Sequence, residues 1–123
     1  MRIWLVIGAL CGALAVVAGS LGEHGLSTRL DAHALSVWQT AAQYQMFHAL
    51  AIGLAALTMR VSRVWAGRAA ALFLIGVILF SGSLYLWALT GSRVVVFMPP
   101  LGGLAFIVGW LSLAIAGWKA EDK

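Results

Sequence analysis

The chain has 123 residues, enough for one domain; 63% of them are hydrophobic and 10% are charged. Soluble domains carry roughly 25% charged residues, so this composition excludes an ordinary soluble globular protein and predicts an integral membrane protein. The net charge of +4 does not indicate nucleic-acid binding, because the chain has no basic stripe with interleaved aromatic residues. Its single cysteine, Cys11, excludes a disulfide within one chain.

Four apolar segments are long enough to cross a bilayer, which takes about 20 residues of helix. The predicted spans are residues 3–21, 38–59, 69–90 and 101–118. We interpret the first span as a retained transmembrane helix, although its flanks imitate a secretory signal. The short connections predict antiparallel neighbours. The expected fold is therefore all-α: a single-domain, up-down-up-down four-helix bundle over residues 1–123.

The basic residues predict an orientation for this bundle. One side carries Arg2, Arg60, Arg63, Arg68, Lys119 and Lys123, whereas the other carries Arg29 and Arg93. Cytoplasmic segments of membrane proteins are rich in Lys and Arg. We therefore expect both termini in the cytoplasm or its topological equivalent, and we call the opposite side the far side.

The two far-side connections contain helix-start signals. Ser27 or Asp31 is able to cap a helix, which predicts either a short interfacial helix or a second helix that begins early. Pro99 and Pro100 precede the fourth span. Proline is tolerated in the first turn of a helix, so the fourth helix is expected to start there.

Glycines recur at helical spacing in the predicted spans. Small residues let helices approach closely in lipid, where apolar burial alone does not drive association. We predict packing contacts at Gly8, Gly12, Gly19, Gly53, Gly102 and Gly109, the first two forming a GxxxG pair. No glycine follows a predicted strand, so a nucleotide-binding loop is not indicated.

Polar side chains lie unusually deep in the second and third spans. Ser36, Thr40, Tyr44 and His48 recur every four residues and so form one ridge on a helix. The polar groups gather in the far half of the bundle, and this candidate polar cluster or binding site comprises His24, Tyr44, Gln45, His48, Ser81, Ser83 and Tyr85.

Two interpretations of this cluster stay open. In one, His48 is a neutral core histidine that bonds across helices, with Ser81 or Ser83 as partner, and locks the bundle. In the other, the far half lines a water-accessible pocket that binds a small ligand or moves a proton, since an intramembrane ionisable residue indicates a functional site. A metal or haem site is not predicted, because His24, His33 and His48 lack compact ligand spacing.

Four stretches resemble a known family when taken together. They are "GSLGEHGL" at 19–26, "WQTAAQYQMFHAL" at 38–50, "FSGSLYL" at 80–86 and "MPPLGGLAFIVGW" at 98–110. These stretches occur in the same order as in domain-of-unknown-function family 423, which includes vertebrate transmembrane protein 256, and the chain resembles that family. The resemblance implies a small four-helix protein of the bacterial inner membrane, or of mitochondria in animals, and implies no reaction. Glu23 departs from the family pattern, which usually has a small residue there.

The expected function is that of a structural or accessory membrane protein. Its expected partners are the lipid bilayer and either further copies of itself or a larger membrane complex, with no nucleic acid and no cofactor. The alternative is a small ligand-binding, channel or transport protein with a pocket around Tyr44 and His48. The sequence contains no catalytic constellation, so we do not predict an enzyme.

Overall fold

A computed structural model describes residues 1–92 and 96–120, where all regular secondary structure is helical. Arg93 and Lys123, used above for orientation, lie outside these ranges. The described residues form four long helices: α1 (Arg2–His24), α2 (Ala32–Thr58), α3 (Arg63–Thr90) and α4 (Met98–Ala120). The α3 helix includes a π-helical segment, Val77–Gly82. The predicted all-helical fold is confirmed.

Three of the described helices are long and apolar enough to cross a membrane, namely α1, α3 and α4. The α2 helix has 27 residues but is not among them. Its sequence holds Gln39, Gln43, Gln45 and His48, which lower its hydropathy. Contacts explain how such a helix is accommodated: α2 packs against α1, α3 and α4, whereas α1 packs mainly against α2.

The helices begin earlier than the hydropathy pattern predicts. The α2 helix starts at Ala32 rather than 38, because the Asp31 carboxylate accepts a hydrogen bond from the Ala34 N–H at 2.7 Å. The α3 helix starts at Arg63 rather than 69. Hydropathy marks where a helix enters the apolar layer, whereas capping and backbone bonding decide where it begins. Met98 starts α4, so both prolines lie in its first turn.

Alanine dominates the contacts between α2 and α3. One core cluster consists of Ala51, Ile52, Ala55, Ala69, Ala70 and Phe73, and a second consists of Cys11, Ala49, Val77 and Phe106. Such small side chains let the helix backbones approach closely, so dispersion contacts replace the hydrophobic driving force that lipid does not provide.

Several predicted packing glycines lie against neighbouring helices. A Cβ added at Gly8 would lie 3.1 Å from the Ala49 carbonyl oxygen and 3.2 Å from the Gly53 nitrogen. At Gly102 it would lie 2.7 Å from the Phe80 Cβ, and at Gly109 2.8 Å from the Phe73 ring. Glycine at 102 and 109 is therefore required for the α3–α4 distance observed, whereas a Cβ at Gly8 would press on the α2 backbone by a few tenths of an ångström.

The structure differs from the prediction at other glycines. A Cβ at Gly19 or at Gly53 would meet no atom within 4 Å, so neither position needs glycine for packing within the chain. At Gly12 it would make an ordinary contact, 3.7 Å from the Ala49 Cβ. The close approach near the far end of α1 falls instead at Gly22, where a Cβ would lie 2.9 Å from the Trp38 ring.

Candidate functional site

His48 lies on the buried side of α2 and uses both ring nitrogens. Its Nδ1 is 2.8 Å from the Tyr44 carbonyl oxygen, and the Trp110 indole N–H donates to its Nε2 at 3.1 Å. A carbonyl only accepts and an indole only donates. The Nδ1 therefore carries the hydrogen, Nε2 accepts, and the ring is neutral.

The His48 ring is also packed among aromatic side chains. It stacks on Phe106 with centroids 3.5 Å apart and an interplanar angle of 10°. Phe73 and Trp110 meet edge to face at 4.9 Å, and Tyr44 lies 4.7 Å from Phe80. We call these residues the aromatic cluster: Tyr44, His48, Phe73, Phe80, Phe106 and Trp110. They come from α2, α3 and α4, and each aromatic pair stabilises by about 0.5–1.5 kcal/mol beyond its buried area.

Gln45 lies one turn from His48 on the same buried side of α2 and connects three helices. Its Nε2 donates to the Cys11 carbonyl of α1 at 2.8 Å, and its Oε1 accepts from the Tyr85 hydroxyl of α3 at 2.7 Å. We call Cys11, Gln45 and Tyr85 the amide bridge. The Gln45 side chain is buried, so both bonds also remove the cost of an unsatisfied amide in the membrane interior.

A second side chain of α2, two helical turns from Gln45, also bonds to the backbone of α1. Trp38 Nε1 donates to the Ala18 carbonyl at 2.7 Å, and Ala18 follows Cys11 by seven residues, as Gln45 follows Trp38. A helical carbonyl points toward the residue four positions later. The residue four positions after Cys11 is Ala15, and the residue four positions after Ala18 is Gly22. Both are buried and small, so the carbonyl oxygens of Cys11 and Ala18 stay accessible to the side chains of α2.

The two serines do not bond to His48, contrary to expectation. Ser81 Oγ donates to the Ala41 carbonyl of α2 at 2.8 Å, and Ser83 Oγ donates to the Phe80 carbonyl within α3 at 2.9 Å. Ser81 is fully buried and lies in the π-helical segment. The Ser81 hydroxyl thus joins α3 to α2, and Ser81 lies one helical turn before Tyr85 on α3.

His24 lies apart from the other candidates. It ends α1 and is exposed, and among the described residues it makes no hydrogen bond or ring contact with His48. Tyr44 is 38% exposed, so it covers the aromatic cluster from outside. The structure thus brings Tyr44 and His48 together in one group and Gln45 and Tyr85 in another.

Trp38, Phe106 and Trp110 also belong to the site, although they are not among the residues predicted from the sequence. A signal was available for the tryptophans, because a buried indole N–H needs an acceptor. Trp110 lies 12 residues into α4, about 18 Å along the axis, which places it deep in the span like His48.

The polar interior is fully bonded within the described residues. No buried side-chain nitrogen or oxygen there lacks a hydrogen-bond partner, and no group of three His, Cys, Asp or Glu residues there is arranged to hold a metal ion. A cavity of about 390 Å³ at the far end is lined by Arg29, His33 and Trp87. An apolar groove of about 430 Å³ between α1 and α3 is lined in part by the amide bridge, Cys11, Gln45 and Tyr85.

Apolar helices that enclose polar side chains, each hydrogen-bonded within the fold, define a small α-helical integral membrane protein. Residues 18–103 match the model of a family described as "Protein of unknown function (DUF423)". The chain belongs to this family, which confirms the resemblance seen in the sequence.

Bacterial relatives match along nearly the whole chain. A UPF0382 membrane protein of Staphylococcus saprophyticus is 43% identical over 122 residues, covering 97% of this chain and 99% of its own. One of Haemophilus influenzae is 42% identical over 119 residues, covering 97% and 96%. The UPF0382 membrane protein YwdK of Bacillus subtilis is 37% identical over 121 residues, covering 97% and 98%. No solved structure matches the chain.

Proposed function

We propose that this chain is a structural or accessory membrane protein, which associates with further copies of itself or with a larger membrane complex. The observation that carries the proposal is that the polar side chains at the centre of the bundle form hydrogen bonds to other helices of the same chain. Both nitrogens of His48 and both amide atoms of Gln45 are bonded within the fold. These bonds join neighbouring helices, and they already occupy the ring nitrogens of His48 and the amide atoms of Gln45.

We also propose an up-down-up-down bundle with both termini in the cytoplasm, in a bacterial inner membrane. Contacts along α3 and α4 run in opposite order, since Phe80 lies at Gly102 and Phe73 at Gly109. Basic residues lie near the same end as the N-terminus: Arg60 Nε is 3.4 Å from the Met1 sulfur. The excess of basic residues at that end supports a cytoplasmic assignment.

A ligand-binding or transport pocket at Tyr44 and His48 has less support. The Phe106 ring occupies one face of the His48 imidazole, and Trp110 occupies its Nε2. A ligand or a travelling proton would have to displace these neighbours. We likewise propose that the protein is not an enzyme and carries no cofactor, an expectation that rests on the residue types present.

The test is the state of the protein purified from its own membrane. A tagged full-length chain is extracted in mild detergent, transferred to lipid nanodiscs, and analysed by light scattering and mass spectrometry of co-purified proteins. We expect either more than one copy per particle or a reproducible membrane partner. A strictly monomeric chain that co-purifies with nothing would overturn the proposal.

A further inference from the structure

One face of α2 is exposed from Ser36 to Leu57, apart from the half-buried Thr40, and has a coiled-coil period. Residues on it alternate in steps of four and three, the 3.5-residue period of helices that pair side by side. We call it the outer stripe: Ser36, Thr40, Gln43, Phe47, Leu50, Leu54 and Leu57. Phe47 is 51% exposed and Leu50 68% exposed, so the stripe is not covered by the chain's own helices.

Gln43 lies on this stripe beside an apolar stretch of α1. A Cβ at Gly12 would meet Ala49 and Met46, and a Cβ at Gly22 would meet Trp38 and Gln39. Gln43 is therefore level with the part of α1 between Gly12 and Gly22, in a helix of 23 residues that is able to span the bilayer. Lipid tails offer no hydrogen bond, so an amide facing them costs several kcal/mol.

The Gln43 amide has no hydrogen-bond partner in the described part of the chain, and the Thr40 hydroxyl one turn away has none either. This contrasts with the inner side of the same helix, where the side-chain polar groups of Trp38, Gln45 and His48 are all bonded. The fold satisfies the inward polar groups of α2 and leaves the outward ones for something outside the subunit.

We infer that the outer stripe of α2 is the contact surface for a second copy of this chain, with the two Gln43 amides hydrogen-bonded to each other. An amide carries both donor and acceptor atoms, so Gln43 is complementary to itself. A two-fold axis along the membrane normal pairs identical stripes and keeps both copies in the same orientation. The inference rests on the proposed self-association and specifies the surface that performs it.

The other residues of the stripe fit a parallel pair. Leu50, Leu54 and Leu57 supply apolar side chains at the seam positions toward one end, where two α2 helices would interdigitate. Ser36 and Thr40 lie toward the far end, where their hydroxyls add polar contacts. No charged residue lies on the stripe, so two copies meet without like-charge repulsion.

Cysteine cross-linking in native membranes tests the surface. In a Cys11→Ala background, Leu50→Cys places a thiol on the stripe. Leu111→Cys is the matched control, because Leu111 is 60% exposed on α4 at a similar distance from the end of its helix. We expect oxidation to give a covalent dimer of Leu50→Cys and no dimer of Leu111→Cys. Equal cross-linking, no dimer, or a cross-link from Leu50→Cys only to another protein would overturn the inference.

Replacing the amide tests the chemistry. Gln43→Leu removes both hydrogen bonds of the pair, and we expect dimerisation in lipid bilayers to weaken by about tenfold. Gln43→Asn keeps an amide and is expected to retain most of the association. The thermal midpoint of Gln43→Leu monomers should stay unchanged, since Gln43 bonds nothing within the subunit. Unaltered dimerisation of Gln43→Leu would contradict the inference.

The two proposals fail separately. If the purified chain is oligomeric or complexed but neither the cross-link nor the Gln43 effect is seen, this surface is wrong and the proposed function stands. If the chain is monomeric and alone under every condition, the proposed function fails as well.

Discussion

His48 shows how a membrane helix retains an ionisable side chain. The ring is buried, neutral and fixed in one tautomer by a carbonyl on its own helix and an indole on α4. Neither nitrogen is left without a partner, so the large cost of a bare polar group in lipid does not arise. The stacking of His48 on Phe106 adds dispersion contacts on the face of the ring.

The bond between His48 and Trp110 predicts a measurable coupling. Trp110→Phe keeps an aromatic ring but removes the indole N–H donor together with the five-membered ring. We expect it to lower the free energy of unfolding by about 0.6–1.7 kcal/mol, between the average and the maximum for interhelical hydrogen bonds in membranes. Reversible unfolding in mixed detergent micelles measures this energy.

The control is Trp118→Phe, because Trp118 is 79% exposed and should change stability little. A double-mutant cycle with His48→Ala isolates the pairwise energy. If Trp110→Phe destabilises the protein equally in the presence and absence of His48, the hydrogen bond does not contribute.

At the scale of the helix, α2 organises the fold. Its inner side bonds to all three other helices through Trp38, Gln45, His48 and the backbone of Ala41. This explains why the least apolar helix is the central one: its polar atoms are satisfied only when neighbouring helices surround it. The α1 helix, by contrast, buries mainly small residues, Gly8, Cys11, Ala15 and Gly22.

Two neighbouring glycines of α4 allow a sharp test of helix packing. A Cβ at Gly102 would lie 2.8 Å from the Phe80 Cα, so the α3 backbone would have to move, at about 1–3 kcal/mol. A Cβ at Gly103 would meet nothing within 4 Å. We expect Gly102→Ala to lower the thermal midpoint in detergent, and Gly103→Ala to leave it unchanged or raise it, because Ala favours helix over Gly.

The comparison controls for composition, since both variants add one methyl group to the same turn. If the two midpoints change alike, helix propensity rather than the close α3–α4 contact decides stability at this position.

At the scale of the whole molecule, the ends of the helices differ in chemistry. Lys119 Nζ lies 5.5 Å from the Trp65 ring, and Arg68 lies 4.7 Å from the same ring. At the other end, His33 meets Trp87 edge to face at 5.2 Å. Aromatic residues at both ends suit membrane–water interfaces, and the basic residues distinguish one end from the other.

The proposed orientation predicts an asymmetric labelling pattern. Ser27→Cys lies in the far-side connection and Val61→Cys in the connection between α2 and α3, and both residues are exposed. In intact cells, an impermeant maleimide should label only Ser27→Cys, whereas both should react after permeabilisation. Labelling of Val61→Cys alone would reverse the orientation. Cys11 is buried and serves as an unreactive internal reference.

The sequence by itself determined the class of protein, the existence of four helices and the family. These follow from hydrophobic runs and short motifs, which are local properties of the chain. It also singled out Tyr44, Gln45, His48, Ser81 and Tyr85, because polar residues inside an apolar run stand out without knowledge of their neighbours. Hydropathy alone placed the helix starts too late, whereas Asp31 and the two prolines are start signals that the sequence also shows, and α2 and α4 begin at them.

Only the tertiary structure decided how these polar residues are used. Trp110, which bonds to His48, lies 62 positions away, and the Cys11 carbonyl that accepts from Gln45 lies 34 positions away. Such partners are set by how the helices rotate and slide against each other, which depends on close contacts such as Gly102 with Phe80. The same rotation leaves Gln43 outside while Gln45 points inward, a difference between two like residues that the fold alone establishes.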